Sequence, residues 1–331
     1  MTNAEKLRPE TTEHDAGGIR CAQGVLALPD PFVLEGGDTL HGAGMAWQCV
    51  GPNAAPLVVV LGGISAHRRC SGFVGPGWWE AQCGAGLALD IERFRLLSVD
   101  WLGGCGESTG PEPGGDFPAI ATTDQARAIL LLLNRLGIRH VHAIVGASYG
   151  GAVGQHVAAL LGRRLGRLVL LSAAHRPSQF ALALRDVQRS ILDLGENSAA
   201  SLALVRALAI IGYRTAQGFE ERFAASDNGA IEWLAQHGTR FAQRFNASAY
   251  RCLSTSLDAH RIDAAAITVP TTVFSVVDDL LVPPTLSREF AATCSGPCNL
   301  VEISSIDGHD AFLKEETIVA DVLRRALEPI R

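Results

Sequence analysis

The run HAIVGASYGGAVGQ, His142 to Gln155, decides the fold. An apolar segment ends in the pentapeptide Gly146-Ala-Ser-Tyr-Gly150, and a run of small residues follows it. With 35 glycines among 331 residues, G-x-S-x-G alone can arise by chance. Its context is more specific: a strand, a tight turn centred on Ser148, then a helix, which is the setting a nucleophile elbow requires. Such a turn strains the serine backbone. Gly146 and Gly150 would relieve the crowding, and Gly151 would let the helix approach. The first amides of the helix would then face a developing oxyanion. The plain alternative is a structural serine in a Gly-rich loop, and partners elsewhere in the chain separate the two readings.

Strands and helices alternate on both sides of this turn. Leu57–Gly62, Phe94–Val99, His140–Gly146 and the LGRLVLLSAA run read as strands, after two strand-like stretches around Val25–Leu28 and Ala46–Val50. Thr122–Gly137 reads as a helix closed by glycine, and Gly150–Gly162 as a helix of small residues. The rhythm predicts an α/β protein with a mostly parallel sheet flanked by helices. It stops between about Arg176 and Arg251, where the patterns are helical. Strands resume at Val269–Asp279 and Cys298–Ser304, and a last helix covers the DAFLKEETIVADVLRRAL run. We therefore expect a flexible N-terminal tail over 1–20, a sheet domain over 21–175 and 252–331, and a helical cap over 176–251.

Composition narrows the function. Apolar residues make up 47% and charged residues 19%, enough to bury a large core. A net charge of −6 gives no electrostatic reason to expect nucleic acid or an anionic membrane as partner. The N-terminal run lacks the apolar core of a secretory signal, and no stretch approaches the roughly 20 apolar residues of a spanning helix, so a cytoplasmic protein is expected. In that setting the eight scattered cysteines read as reduced thiols. Cys294 and Cys298 lack a second pair, and His140 and His142 read as strand packing, so no metal is expected. No nucleotide fingerprint is present, and no cofactor is expected. Trp78, Trp79 and Trp101 could line a pocket or simply pack.

A serine hydroxyl needs a base within reach and an acid to orient that base. On this architecture they follow in the order Ser, Asp, His at the ends of later strands. Asp278 and Asp279 follow one late strand, and His309 follows the next within SIDGHDAFL. Both aspartates sit at the strand end, so position alone does not choose between them. A second oxyanion donor is expected from the VLGGISAHR loop, at the Ile64 N–H, to pair with the Tyr149 N–H.

These residues carry a resemblance. DWLGGCGESTGPEPGGDFPAIATTDQARA, ALRDVQRSI, VDDLLVPP and GHDAFL together resemble the α/β-hydrolase-fold homoserine O-acyltransferases of methionine biosynthesis, from about Leu57 to the C-terminus. The resemblance implies an α/β-hydrolase fold with a helical cap and a triad of Ser148, Asp279 and His309, choosing Asp279 as the residue two before Leu281. It implies that Arg189 holds the amino acid carboxylate, that Asp310 contacts its amino group, and that the protein is a homodimer. It implies ping-pong acyl transfer from acyl-CoA, as co-substrate, to homoserine through an acyl-serine.

The GGISAHRR loop departs from the family's usual H-x-L-T-G. With GWWEAQ, SAAHRPS and HDAFLKE it looks most like a short-chain, succinyl-transferring subgroup, so succinyl is favoured over acetyl. Arg68 and Arg69 could attract a succinyl carboxylate or CoA phosphates, or be ordinary surface basics. The alternatives are an L-serine O-acyltransferase, a serine esterase or thioesterase on the same fold, and a non-catalytic binding protein.

Overall fold

The computed structural model describes residues 12–16 and 18–328. Its centre is a nine-stranded sheet. The strands in it are β1 (Thr12–Ala16), β2 (Ile19–Ala27), β5 (Gly44–Val50), β6 (Leu57–Leu61), β7 (Arg95–Val99), β8 (Ala143–Ala147), β9 (Leu168–Leu171), β10 (Thr271–Val276) and β11 (Cys298–Ile303). A separate small hairpin pairs β3 (Phe32–Val33) with β4 (Thr39–Leu40). The order across the large sheet is β1-β2-β5-β7-β6-β8-β9-β10-β11. β1, β2, β5 and β7 pair antiparallel, and from β7 to β11 every pair is parallel. The middle strands LVVVL, AIVGA and LVLL are buried along their whole length, as strands covered on both faces must be.

Register aligns the strand ends. Leu61 pairs with Gly146, Ala147 with Leu171, Leu171 with Phe274, and Val276 with Ile303. Every loop leaving these C-terminal ends therefore opens on one edge, where open α/β sheets bind ligands. Helices α1 (Thr122–Arg135), α2 (Tyr149–Leu161), α8 (Pro284–Thr293), α9 (Ala311–Lys314) and α10 (Glu316–Leu327) belong to the sheet domain. Between β9 and β10 run α3 (Gln179–Leu194), α4 (Ala199–Tyr213), α5 (Ala216–Phe223), α6 (Gly229–Ala242) and α7 (Ala247–Ala259). The side chains of Ser178, Ser198, Thr215 and Asn246 each accept a backbone N–H at the start of one of these helices.

Three expectations shift. Within the expected tail, 1–11 and 17 lie outside the described residues, but Thr12–Ala16 is a strand. It is held by main-chain pairing to β2, which requires no apolar pattern. The expected cap boundary at 251/252 falls inside α7, because Asn246 starts the helix and buried Tyr250 and Leu253 carry it on. The single last helix is broken at Glu315 (φ −82°, ψ 57°), whose carboxylate accepts the Ser305 hydroxyl at 2.6 Å. Among the described residues no single helix is long and apolar enough to cross a membrane.

Candidate active site

Ser148 sits between β8 and α2 at φ 52°, ψ −118°, in the left-handed region that costs a non-glycine residue about 1–3 kcal/mol. Neighbours hold it there: the Ser148 N–H donates to Leu171 O at 2.9 Å and the Gly150 N–H to Gly62 O at 2.8 Å. A Cβ at 150 would lie 2.2 Å from Leu61 O, and one at 146 would lie 2.6 Å from Gly150 O, so both flanking glycines are required by close approach.

His309 lies on the one-turn helix Gly308–Asp310 that follows β11. Its Nε2 is 2.9 Å from Ser148 Oγ and its Nδ1 is 2.7 Å from Asp279 Oδ2. Asp279 is a pure acceptor, so Nδ1 carries the proton and Nε2 accepts from the serine hydroxyl. The other Asp279 oxygen accepts the N–H groups of Leu281 and Val282 at 2.8 and 2.9 Å. Asp278 turns elsewhere, to Ser304 Oγ and Ser305 N. Burial pushes the His309 imidazole down, but the Asp279 carboxylate outweighs it and leaves the pKa above the ordinary histidine value. Tyr213 packs on the His309 ring at 5.7 Å and Phe312 meets it edge-on at 6.3 Å.

A cavity of about 420 Å³ opens over Ser148 and His309, walled by the loop after β6, the cap helices and Asp310. Ile64 lines it. Tyr149 is the first residue of α2, so its N–H is one of the amides a helix start leaves without an intrahelical acceptor. The Tyr149 side chain points into the core, bonded to Ser256 Oγ at 2.9 Å and accepting from Gln125 at 3.3 Å.

Comparison with known proteins fits this geometry. Residues 56–316 match the family model for the α/β hydrolase fold. A homoserine O-succinyltransferase of Xanthomonas campestris is 40% identical, over 99% of this chain and 89% of its own. The chain belongs to the homoserine O-acyltransferase family. It is an acyltransferase of the α/β-hydrolase fold. A crystal structure of homoserine O-acetyltransferase from Staphylococcus aureus superposes with a TM-score of 0.82 at 23% identity, covering 94% of this chain and 96% of that one. A crystal structure of an esterase does so equally, at 0.82 and 19%, covering 93% and 100%, so the fold alone does not separate the two chemistries.

For an acyltransferase of this family, the arginines are where the structure departs from expectation. Arg189 does not line the cavity. Its Nη1 lies 2.7 Å from Asp258 Oδ2, close enough for an ion pair although outside hydrogen-bond alignment. Arg185, one turn earlier, does line it; its Nε donates to Asp258 Oδ1 at 2.5 Å while Nη2 is buried with no hydrogen-bond partner among the described residues. Asp258, on α7, thus contacts both guanidinium groups, and of the two only Arg185 lines the cavity. Arg68 is not a free surface cation: Asp100 and Glu107 hold its guanidinium, and Asp100 also accepts its N–H. Arg69 is absent from the cavity lining. His142 donates to Leu327 O at 3.0 Å and packs on Phe94, consistent with its reading as a strand-packing residue.

Sequence reasoning missed Arg206. It lines the cavity from α4, 5.7 Å from the Tyr213 ring and 5.1 Å from the Phe241 ring, with no carboxylate partner among the described residues. The signal was present: Arg206 is the one charge in AASLALVRALAIIGY, and an isolated charge in an otherwise apolar helix has to find a reason to be there. Asp310 lines the same cavity, with Oδ2 3.2 Å from Arg214 Nη2. Arg206 and Asp310 both act on the Tyr213 phenol, with opposite effects on its pKa, so cation and anion sit within electrostatic reach of one ring beside His309.

Proposed function

We propose that the chain transfers an acyl group from acyl-CoA to the γ-hydroxyl of homoserine by a ping-pong route through Ser148. Neutral His309, oriented by Asp279, takes the Ser148 proton as Oγ attacks the thioester carbonyl. The Tyr149 and Ile64 N–H groups stabilise the oxyanion. Collapse breaks the C–S bond, His309 returns the proton to the CoA thiolate, and an acyl-serine remains. Homoserine then binds, His309 removes its γ-hydroxyl proton, and the alkoxide takes the acyl group as an ester while Ser148 is reprotonated.

One observation carries the acceptor assignment: Arg206, a guanidinium with no carboxylate partner among the described residues, and a carboxylate, Asp310, share the cavity that holds the Ser–His–Asp constellation. That pair fits an amino acid zwitterion, with the carboxylate on Arg206 and the ammonium at Asp310. We assign to Arg206 the role the resemblance gave to Arg189. A plain esterase needs no such clamp. The donor reading rests on three buried polar atoms without partners in the same cavity: Arg185 Nη2, Trp78 Nε1 and Ser172 Oγ. Unsatisfied groups of this kind cost about 1–3 kcal/mol each, which a carboxylate-ended acyl group would recover and an acetyl group would not. This favours succinyl over acetyl. A second hollow of about 840 Å³ adjoins the first, and Arg244 lines both, which suits the phosphate-bearing arm of CoA.

The test is thiol release from succinyl-CoA with and without homoserine, and with serine in its place, since one methylene is worth only about 1–3 kcal/mol in discrimination. Strong dependence on homoserine is expected. Release indifferent to any amino acid would mean a thioesterase.

The homodimer implied by the resemblance fits the cap, where Phe180, Val187 and Leu194 on α3 and Leu204 and Ile211 on α4 are exposed at seven-residue spacing. Sedimentation of Val187→Asp should show a monomer, and an unchanged dimer would place the interface elsewhere.

A further inference from the structure

The loop after β6 has two peptide units whose orientations are set by specific bonds. The Gly62 carbonyl accepts the Gly150 N–H at 2.8 Å. The Gly63 carbonyl accepts two donors, the Ala66 N–H of its own turn and the Trp101 indole N–H, both at 3.0 Å. In a trans peptide the C=O of one residue and the N–H of the next point in opposite directions. Trp101 is 2% exposed and lies behind the loop, outside the cavity lining, whereas Gly63 and Ile64 are part of that lining. With the Gly63 carbonyl turned to Trp101, the Ile64 N–H points away from Trp101, and Ile64 lines the same cavity as Ser148.

Trp101 is itself fixed. Its ring meets the Tyr149 ring edge-on, centroids 5.0 Å apart at 89°. The next residue, Leu102, is bracketed by the Gln125 amide, which accepts the Leu102 N–H at 3.1 Å and donates to its carbonyl at 2.7 Å. The same Gln125 donates to the Tyr149 hydroxyl at 3.3 Å. One packed unit of Trp101, Tyr149 and Gln125 therefore spans both sides of the oxyanion site: Tyr149 supplies one donor from its backbone, and Trp101 orients the peptide that supplies the other.

We infer that Trp101 is a positioning residue for acyl transfer, its indole N–H acting with the turn bond from Ala66 to hold the Gly63–Ile64 peptide with the Ile64 amide aimed at the oxyanion. This rests on the acyl-serine reading above. Loss of an oxyanion donor outright lowers kcat by about 100- to 1000-fold; releasing a donor from its fixed orientation should cost less, about 10- to 100-fold. Ground-state binding of the acceptor does not use this amide and should not change.

The experiment compares wild type with Trp101→Phe and with Trp101→benzothienylalanine, in which sulfur replaces the indole N–H at nearly the same shape. The readouts are kcat, the homoserine KM, the thermal midpoint, and affinity for an alkyl boronic acid, whose adduct with Ser148 places an oxygen at the oxyanion position. Expected is a 10-fold or greater fall in kcat and an equal fall in boronate affinity, with homoserine KM unchanged and, for the benzothienyl variant, an unchanged midpoint. Wild-type kcat and boronate affinity in the benzothienyl variant would overturn the assignment, as would a kcat loss that leaves boronate affinity intact. Ser148→Ala separates the two levels: if it retains homoserine-dependent CoA release, the acyl-serine reading fails and this inference with it.

Discussion

Arg206 holds its guanidinium carbon 5.7 Å from the centre of the Tyr213 ring, and that ring packs on His309. A cation with no carboxylate partner among the described residues thus stands one aromatic ring away from the His309 imidazole. Arg206→Ala should raise the homoserine KM by about 10- to 100-fold, the value of a charge-assisted hydrogen bond, with little effect on acylation of the enzyme by the donor. Arg206→Lys should recover only part of this, because an ammonium cannot make the two-pronged contact. Steady-state kinetics against homoserine at saturating donor reads both. An unchanged KM would remove Arg206 from the acceptor site.

Arg185 presents a buried Nη2 without a partner to the cavity, and Asp258 holds its Nε. Arg185→Gln should lower kcat/KM for succinyl-CoA by roughly 10-fold or more while leaving acetyl-CoA nearly as before. Arg189 still faces Asp258 in this variant, so that carboxylate is not stranded. Competition between the two donors, with products resolved by mass, gives the ratio. Equal losses on both donors would show that Arg185 does not read the acyl carboxylate.

His309 has to be neutral to act as base, and Asp279 holds its pKa above the ordinary value of about 6.5. The rate constant kcat/KM should therefore rise with pH along a limb whose midpoint lies above 6.5. Asp279→Asn should lower both the rate and that midpoint. A midpoint below 6.5 in wild type would contradict the geometry.

His156 and His260 form a buried pair at 3.2 Å, and burial lowers their pKa values to about 4 and about 3. Unfolded, each titrates near 6.5. Between those values the unfolded chain binds more protons than the folded one, so stability falls as pH drops below 6.5, by about 1.4 kcal/mol per pH unit for each histidine. His309, with its raised pKa, acts oppositely, and its contribution is lost only as pH climbs above 6.5. Urea unfolding from pH 7 to 5 should show the decline before ordinary carboxylates titrate. A flat profile over that range would contradict it.

What the sequence revealed depended on how local the deciding interaction is. The elbow was legible because strand, glycine spacing and helix are contiguous. Asp279 was separable from Asp278 only by resemblance, yet its role as acceptor for the N–H groups of Leu281 and Val282 is itself local. Arg185 and Arg189 lie one turn apart on one helix, and both meet Asp258, some 70 residues away in the chain, so local sequence does not show which of them lines the cavity. Arg68 read as surface charge because nothing near it in sequence announces Asp100. β1 escaped because an antiparallel edge pairing is made by backbone and leaves little trace in side-chain pattern.

If Ser148 carries the acyl group between donor and acceptor, the covalent intermediate is visible to intact-mass analysis. Mixed with succinyl-CoA and no acceptor, the protein should gain the mass of one succinyl group, mapped to the peptide containing Ser148. Homoserine should discharge it, and Ser148→Ala should never acquire it. Product formed at full rate with no adduct on Ser148 would mean direct transfer between the two substrates and would contradict an acyl-serine route.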